Sequence, residues 1–143
     1  MWSIKKFDEL STDDLFEIYK LRVSVFVVEQ ECHHQEVDDN DKVCLHGMKW
    51  VNGKLAAYFR LIPKEDGIHL GRVIVAPSFR NRGLGRELVQ AALKECQLKF
   101  PNATVHAQAQ AYLKLFYSSF GFKTTSNIYL MGGIQHIDME LQA

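Results

Sequence analysis

The amino-acid sequence predicts an α/β domain built on one mixed sheet, mostly antiparallel, with a single parallel strand pair and helices on both faces. Three observations carry that reading. The runs on either side of Asn52-Gly53 give a hairpin signal, because both turn residues accept positive φ and so match the twist of antiparallel strands. Residues 73–99 read as a strand, a basic glycine-bearing loop and a long helix. A further strand over residues 104–109 follows that helix, and a crossover of this length makes the two strands parallel and right-handed.

Taken in order, Trp2 to Phe7 alternates as a first, edge-like strand. Ser11 caps a helix with acids in its first turn, and Leu15, Ile18, Tyr19, Arg22, Val25 and Phe26 continue it at helical intervals. The β-branched group Val23, Val25, Val27 and Val28 weakens helical propensity, so the helix is expected to break near Val27. Residues 32–42 are polar and acidic, and read as irregular. Counted as a calcium loop from Asp38, they put Lys42 and Val43 where an oxygen ligand and a glycine are required, which excludes an EF-hand. Residues 44–51 and 54–62 are the hairpin strands, and after a turn at 63–67 the next strand runs from Ile68 to Val75. Pro101-Asn102 marks the turn behind the long helix. A short helix over 112–119 carries Leu113, Phe116, Tyr117 and Phe120 on or near one side, with Gly121 as its C-terminal glycine. Two closing strands, 122–126 and 135–141, are linked through Gly132-Gly133.

The 143 residues suit a single domain spanning 1–143, and 47% hydrophobic with 24% charged residues is an ordinary globular balance. Basic and acidic residues number 17 each, so the formal net charge is zero, which argues against general nucleic-acid binding. No apolar run approaches the roughly 20 residues that span a bilayer, and residues 1–10 hold no signal-peptide core, so no membrane association is expected. The three cysteines, without a leader, indicate free thiols in a reducing cytoplasm. No metal is assigned: Cys32, His33, His34, Cys44 and His46 contain neither a Cys-x-x-Cys nor a His-x-x-x-His pair.

The chemistry concentrates in residues 80–86. Glycine inside a helix costs roughly 1 kcal/mol relative to alanine, and Gly83 and Gly85 fall in the expected opening turn of the long helix. Two there imply that something comes close to the backbone. The first N–H groups of a helix lack internal partners and carry the positive end of its dipole. Arg80, Arg82 and Arg86 add charge at the same point. Capture of a phosphate or pyrophosphate is the chemistry favoured. The loop is not a Walker loop, since Arg86-Glu87 follows Gly85, nor a dinucleotide fingerprint, whose third glycine slot holds Leu88.

Arg80-x-x-Gly83-x-Gly85, behind a strand ending in Ala76-Pro77, resembles the acyl-CoA signature of the GNAT N-acetyltransferase superfamily. Leu115 to Phe122 is similar to that family's Phe-Tyr-x-x-x-Gly-Phe helix end. Leu21 to Gln30 and Gly133 to Met139 resemble its ElaA-like branch, so the likeness covers nearly the whole chain. The resemblance implies the GNAT acyl-CoA N-acyltransferase fold, with its parallel strand pair splayed. It implies direct acetyl transfer from acetyl-CoA to a small-molecule amine acceptor in a ternary complex, without a covalent enzyme intermediate.

It also implies contacts. The pantetheine arm would lie between the strands holding Val73, Ile74 and Val75 and residues 105–108, with Gln108 among its partners. The pyrophosphate would sit on the amides of Arg82, Gly83, Leu84, Gly85 and Arg86, beside Arg80 and Asn81. Gln110 stands where the family often has Asn, one methylene longer. Tyr117 matches the tyrosine that protonates the leaving thiolate; by residue type alone it is a core tyrosine on an aromatic helix face.

Glu29, Glu36, His46, His69, His106 and His136 are all of a type that could serve as general base, and a water relay needs none of them. His46 and His136 lead, as residues near strands expected to flank the acceptor. Arg22, Phe26, Glu29, Glu36 and Arg60 are placed around the acceptor, and the acids tilt the reading toward a cationic small molecule. Arg22, Phe26, Glu36, Asp38, Asp41 and Arg60 also have the order found in acyl-homoserine-lactone synthases, which share this fold but usually lack an intact Arg-x-x-Gly-x-Gly loop. A non-catalytic CoA-binding module is the other alternative. A homodimer is compatible with the sequence.

Overall fold

In the computed structural model, which describes residues 1–143, the strands are Trp2–Lys6 (β1), Leu45–Val51 (β2), Lys54–Lys64 (β3), Gly67–Val75 (β4), Val105–Gln110 (β5), Lys123–Thr124 (β6), Tyr129–Met131 (β7) and Ile134–Leu141 (β8). The helices are Thr12–Arg22 (α1), Leu84–Lys99 (α2) and Lys114–Ser118 (α3). One sheet runs in the order β1-β2-β3-β4-β5-β8-β6, with β7 folded onto β8. Each pair is antiparallel except β4–β5.

The central strand β3 is apolar on both faces because both are covered. Ala57, Phe59 and Leu61 pack with Leu88, Val89 and Ala92 of α2. Tyr58, between them in sequence and pointing the other way, packs with Ile18 of α1, Val25, Met48 and Ile74. Each large apolar side chain so buried contributes roughly 1.5–3 kcal/mol.

The start of α1 follows its sequence: Ser11 Oγ accepts from the Asp14 N–H at 3.0 Å, and the Asp14 carboxylate accepts from the Ser11 N–H at 3.1 Å. The helix does not break near Val27. It widens into a π-helical stretch, Val23–Glu29, whose exit is held by bonds from Gln30 N–H to Val25 C=O and from Cys32 N–H to Val27 C=O. The β-branched run loosens the coil without ending it. Toward the C-terminus, β6 has only two residues, and Tyr129–Met131 forms an unexpected strand. Gly132 and Gly133, with φ of 60° and 78°, make its tight turn back into β8.

The parallel pair is joined over Ile68↔Val105, His69↔His106 and Leu70↔Ala107, and no further, although β4 continues to Val75 and β5 to Gln110. The cause lies on the other side of β4. Its register with β3 passes from Arg60↔Gly71 to Tyr58↔Ile74, so Phe59 opposes two residues, Arg72 and Val73. This is a β-bulge, which bends the strand that carries it. Arg72 takes a φ of 49° there. β4 thus turns away from β5, and the open stretch faces Gln108 to Gln110. Val105 to Ala107, expected from the sequence to border the opening, lie in the closed part.

Candidate functional site

At the open end of the cleft the chain turns into α2. Gly83 is not inside the helix, as its spacing suggested, but caps it with a φ of 77°. The first intrahelical bond runs from Glu87 N–H to Gly83 C=O at 3.2 Å, and the N–H groups of residues 82–86 donate to nothing in the protein. A Cβ at Gly83 would meet no atom within 4 Å, and one at Gly85 only Phe116, at 3.9 Å. Backbone conformation requires a glycine at 83, while the protein's own packing requires none at 85. The unpaired amides and the open space above both residues fit a diphosphate.

The arginines of this loop behave differently from one another. Arg82 lies over the ring of Phe79 at 5.5 Å. Arg86 lies over Phe120 at 4.8 Å and donates to Ser119 Oγ at 3.0 Å. Arg80 folds back: its Nη atoms donate to both Glu29 carboxylate oxygens at 2.8 and 2.9 Å, and its Nε to Val75 C=O at 3.1 Å. Glu29 is therefore engaged by Arg80, whose hydrogen bond holds its carboxyl below the usual range.

Tyr117 is 5% exposed, edge-on to Phe116 and Phe122, and its hydroxyl makes no hydrogen bond within the protein. Burial pushes the phenol up to about 12, so it keeps its proton at neutral pH. Across β5, Gln108 Nε2 donates to the Tyr129 hydroxyl at 2.7 Å, and that hydroxyl donates to Asp138 Oδ1 at 2.5 Å. His136 stands opposite Gln110 in the β5–β8 register and stacks on Tyr129. Its Nδ1 lies 2.7 Å from Ile134 C=O. A carbonyl can only accept, so Nδ1 carries a proton, and the neutral form of the ring would present its lone pair at Nε2.

His46, the other leading histidine, is fully buried. Its Nε2 donates to Asp41 C=O at 2.8 Å, and its Nδ1 accepts from the Tyr58 hydroxyl at 2.6 Å. Both ring nitrogens are used, and burial lowers its pKa. That is a satisfied core histidine. His69 and His106 lie at the closed end of β4–β5, away from the glycine turn.

Of the residues placed around the acceptor, Arg22, Glu36 and Arg60 form a largely buried charge network. Arg22, with no exposed surface, donates from Nε to Glu36 at 2.9 Å and from Nη1 to Asp41 at 2.7 Å. Arg60 reaches Asp38 at 2.7 Å and Asp41 at 3.0 Å. Arg72 donates from Nε to Glu36 at 2.5 Å and from Nη2 to its C=O at 3.0 Å. Three arginines thus face three carboxylates. The network is charge-balanced, so it holds no spare negative charge to attract a cation, contrary to the reading of the acids alone. Phe26 packs against the core cluster around Ile18, Met48 and Tyr58.

The model of the acetyltransferase (GNAT) domain matches residues 14–143. The chain belongs to the GNAT family. A UPF0039 protein of Schizosaccharomyces pombe is 43% identical over 141 residues, covering 96% of this chain and 94% of its own length. Protein ElaA of Escherichia coli is 37% identical over 143 residues, with 96% and 94% covered, and its crystal structure superposes with a TM-score of 0.94 over 98% of each chain. An acyl-CoA N-acyltransferase from Pseudomonas aeruginosa superposes equally well, at 0.94 and 37% identity, over 98% of this chain and 97% of its own. Likeness to a CoA-dependent acyl-homoserine lactone synthase, at 0.83 and 18% identity, concerns the fold alone. This is an ElaA-like GNAT protein with the acyl-CoA N-acyltransferase fold that the sequence predicted.

Within this GNAT fold, the structure adds Arg72, Tyr129 and Asp138 to the residues singled out by sequence. A charged residue in the otherwise apolar run Leu70 to Val75 was the available signal for Arg72. Tyr129 and Asp138 come together only through the short β7–β8 hairpin, whose Gly132-Gly133 turn shows in the sequence while its three-residue first strand does not.

Proposed function

We propose that this GNAT protein transfers an acetyl group directly from acetyl-CoA to an amine on a small molecule, both bound at once. The observation that supports it most is the unpaired stretch between β4 and β5, which ends at the free amides of residues 82–86. Those amides and the helix dipole would hold the diphosphate, with Arg82 and Arg86 beside them. Unpaired edge groups of residues 73–75 and 108–110, with Gln108 and Gln110, would bond the pantetheine amides as an added strand does. An N–H within Val73 to Val75 would support the tetrahedral oxyanion.

Acetyl-CoA supplies the activated thioester. His136 Nε2 would take the proton of the attacking amine, directly or through a water, as the C–N bond forms. Tyr117 would give its proton to the sulfur as the C–S bond breaks. A phenol kept protonated by burial suits that second role. Arg22, Glu36 and Arg60 would shape the acceptor side without drawing a charge to it, so neutral amines belong in the search.

A panel of amines screened for acetyl-CoA-dependent thiol release tests the reading. Tyr117→Phe should lower turnover about 10²- to 10⁴-fold while leaving CoA affinity nearly intact. Saturating acetyl-CoA, at about 100 times its Kd, should stabilise the fold by roughly 2.7 kcal/mol. A flat melting response would refute CoA binding. Binding without turnover would favour a CoA-binding module, and dependence on an acyl carrier protein would favour the synthase chemistry.

A further inference from the structure

We propose that Asp66, His69 and His106 form a binding site for a divalent transition-metal ion of the zinc class, at the closed end of the β4–β5 pair. His69 and His106 face each other in register on the two parallel strands. Their rings stack with centroids 4.7 Å apart and planes inclined by 23°. Asp66, in the turn between β3 and β4, places Oδ1 2.8 Å from His69 Nε2 and Oδ2 3.7 Å from His106 Nε2. One ligand atom from each residue lies within 4.8 Å of the other two. Imidazole and carboxylate are ligands that zinc takes at about 2.0–2.2 Å, and a tetrahedral ion would keep its fourth position for water.

A second feature points the same way. His106 Nδ1 faces Glu140 Oε2 at 3.7 Å, from the register partner of His106 on β8. A carboxylate behind the ring is the arrangement that orients a ligating histidine and fixes its tautomer. His106 Nε2 donates to Asp66 C=O at 2.8 Å; a metal would move that proton to Nδ1, on the Glu140 side, and free Nε2 to ligate. Asp66 and Glu140 flank the two imidazoles, so a dication would find compensating charge on both sides. The donors are partly exposed, which leaves an entry path.

The other close trio of donor side chains, Asp41, Cys44 and His46, lacks these properties. Its carboxylate is held by Arg22 and Arg60, whose charges would repel a cation. The Cys44 thiol is pushed up to about 12 by burial, which opposes thiolate formation.

Zinc at Asp66, His69 and His106 would tie β4 to β5 below the point where they part. Full-length protein, freed of any affinity tag and stripped with EDTA, is titrated with ZnCl₂ by calorimetry and followed by thermal melting. The expected result is one ion per chain and a melting temperature raised by several degrees at saturation. Co²⁺ should give the visible absorption of a tetrahedral nitrogen–oxygen site. His69→Ala and Asp66→Asn should each weaken zinc binding at least about tenfold, and Glu140→Gln about tenfold through the orientation of His106. Melting of each variant in EDTA shows whether it is folded, and His69→Asn serves if His69→Ala is not. No binding by the wild type at millimolar zinc would overturn the proposal. So would binding that His69→Ala and Asp66→Asn both leave unchanged.

Discussion

The two ends of the β4–β5 pair are built from the same two strands and have opposite fates. At one end Ile68, His69 and Leu70 are zipped to Val105, His106 and Ala107, and the Ile68 N–H adds a bond to Thr104 C=O at 2.9 Å. Beyond Leu70 and Ala107 the strands part. What separates them is one extra residue in β4, and Arg72 holds it with a left-handed backbone that costs a non-glycine residue roughly 1–2 kcal/mol. Arg72 stays there because its guanidinium is anchored on Glu36. The opening is therefore locked from outside the cleft, by a charge network that also holds Arg22 and Arg60.

The sharpest way to break that contrast is to remove the anchor. Glu36→Ala would leave Arg22, which is fully buried, and Arg72 without their shared carboxylate. Breaking a buried pair on one side costs about 3–5 kcal/mol. Urea unfolding should show a loss of that size. A loss below about 1 kcal/mol would mean that the network does not carry the bulge.

The next largest effect separates backbone from charge. Arg72→Val places a β-branched residue at a φ of 49° and removes the anchor, so a loss of about 2–3 kcal/mol is expected, together with weakened CoA binding as the bulge relaxes. Arg72→Gly accepts the same backbone at little strain and should keep CoA affinity nearly unchanged despite a smaller loss of stability. If Arg72→Val binds CoA as the wild type does, the bulge is not what opens the cleft.

How much of this was legible beforehand follows from the range of each signal. The hairpin at Asn52-Gly53, the capped start of α1 and the strand–turn–helix around Gly83 are local, and local chemistry fixes them. The bulge at Arg72 has only a faint local signature, a glycine and a charge within an apolar strand, since it is defined by pairing with Phe59 and sustained by Glu36, 36 positions away. The same holds for His46: its type and strand position suggested a base, and only the fold shows both nitrogens committed to Asp41 and Tyr58. Counting acids in residues 32–42 misled for a related reason, because their arginine partners come from α1, β3 and β4.

Acid should weaken the open end's lock in two stages. Burial lowers the His46 pKa, so below its unfolded value of about 6.5 the unfolded chain takes up a proton that the folded chain refuses, and stability declines as pH falls. Burial works to raise Asp38 and Asp41, but Arg60 and Arg22 outweigh it and hold both carboxyls below their usual range. Their contribution is complete above an unfolded pKa of about 3.9 and is lost as pH falls through the lower folded values. Melting temperature should therefore be level above about pH 6.5, fall gently to about 4, and fall steeply below. His46→Asn should remove the gentle phase only. Retention of that phase in the variant would assign it elsewhere.

The smallest effect lies at the mouth of the cleft, where Arg80 is turned toward Glu29 and away from the free amides. The pair is well exposed, so Glu29→Gln should change stability by less than about 1 kcal/mol. Its effect on binding has the opposite sign. With an amide in place of the carboxylate, Arg80 loses the charge and one of its two bonds at residue 29, leaving more of the guanidinium free beside the diphosphate amides. CoA should bind about twofold to fivefold more tightly at low salt, an advantage that fades by 1 M salt as the Debye length shrinks to about 3 Å. An unchanged Kd at low salt would mean that Arg80 serves the backbone of β4 rather than the phosphates. The closed and open ends would then differ in hydrogen bonding alone, with the positive charge of the site left to Arg82, Arg86 and the start of α2.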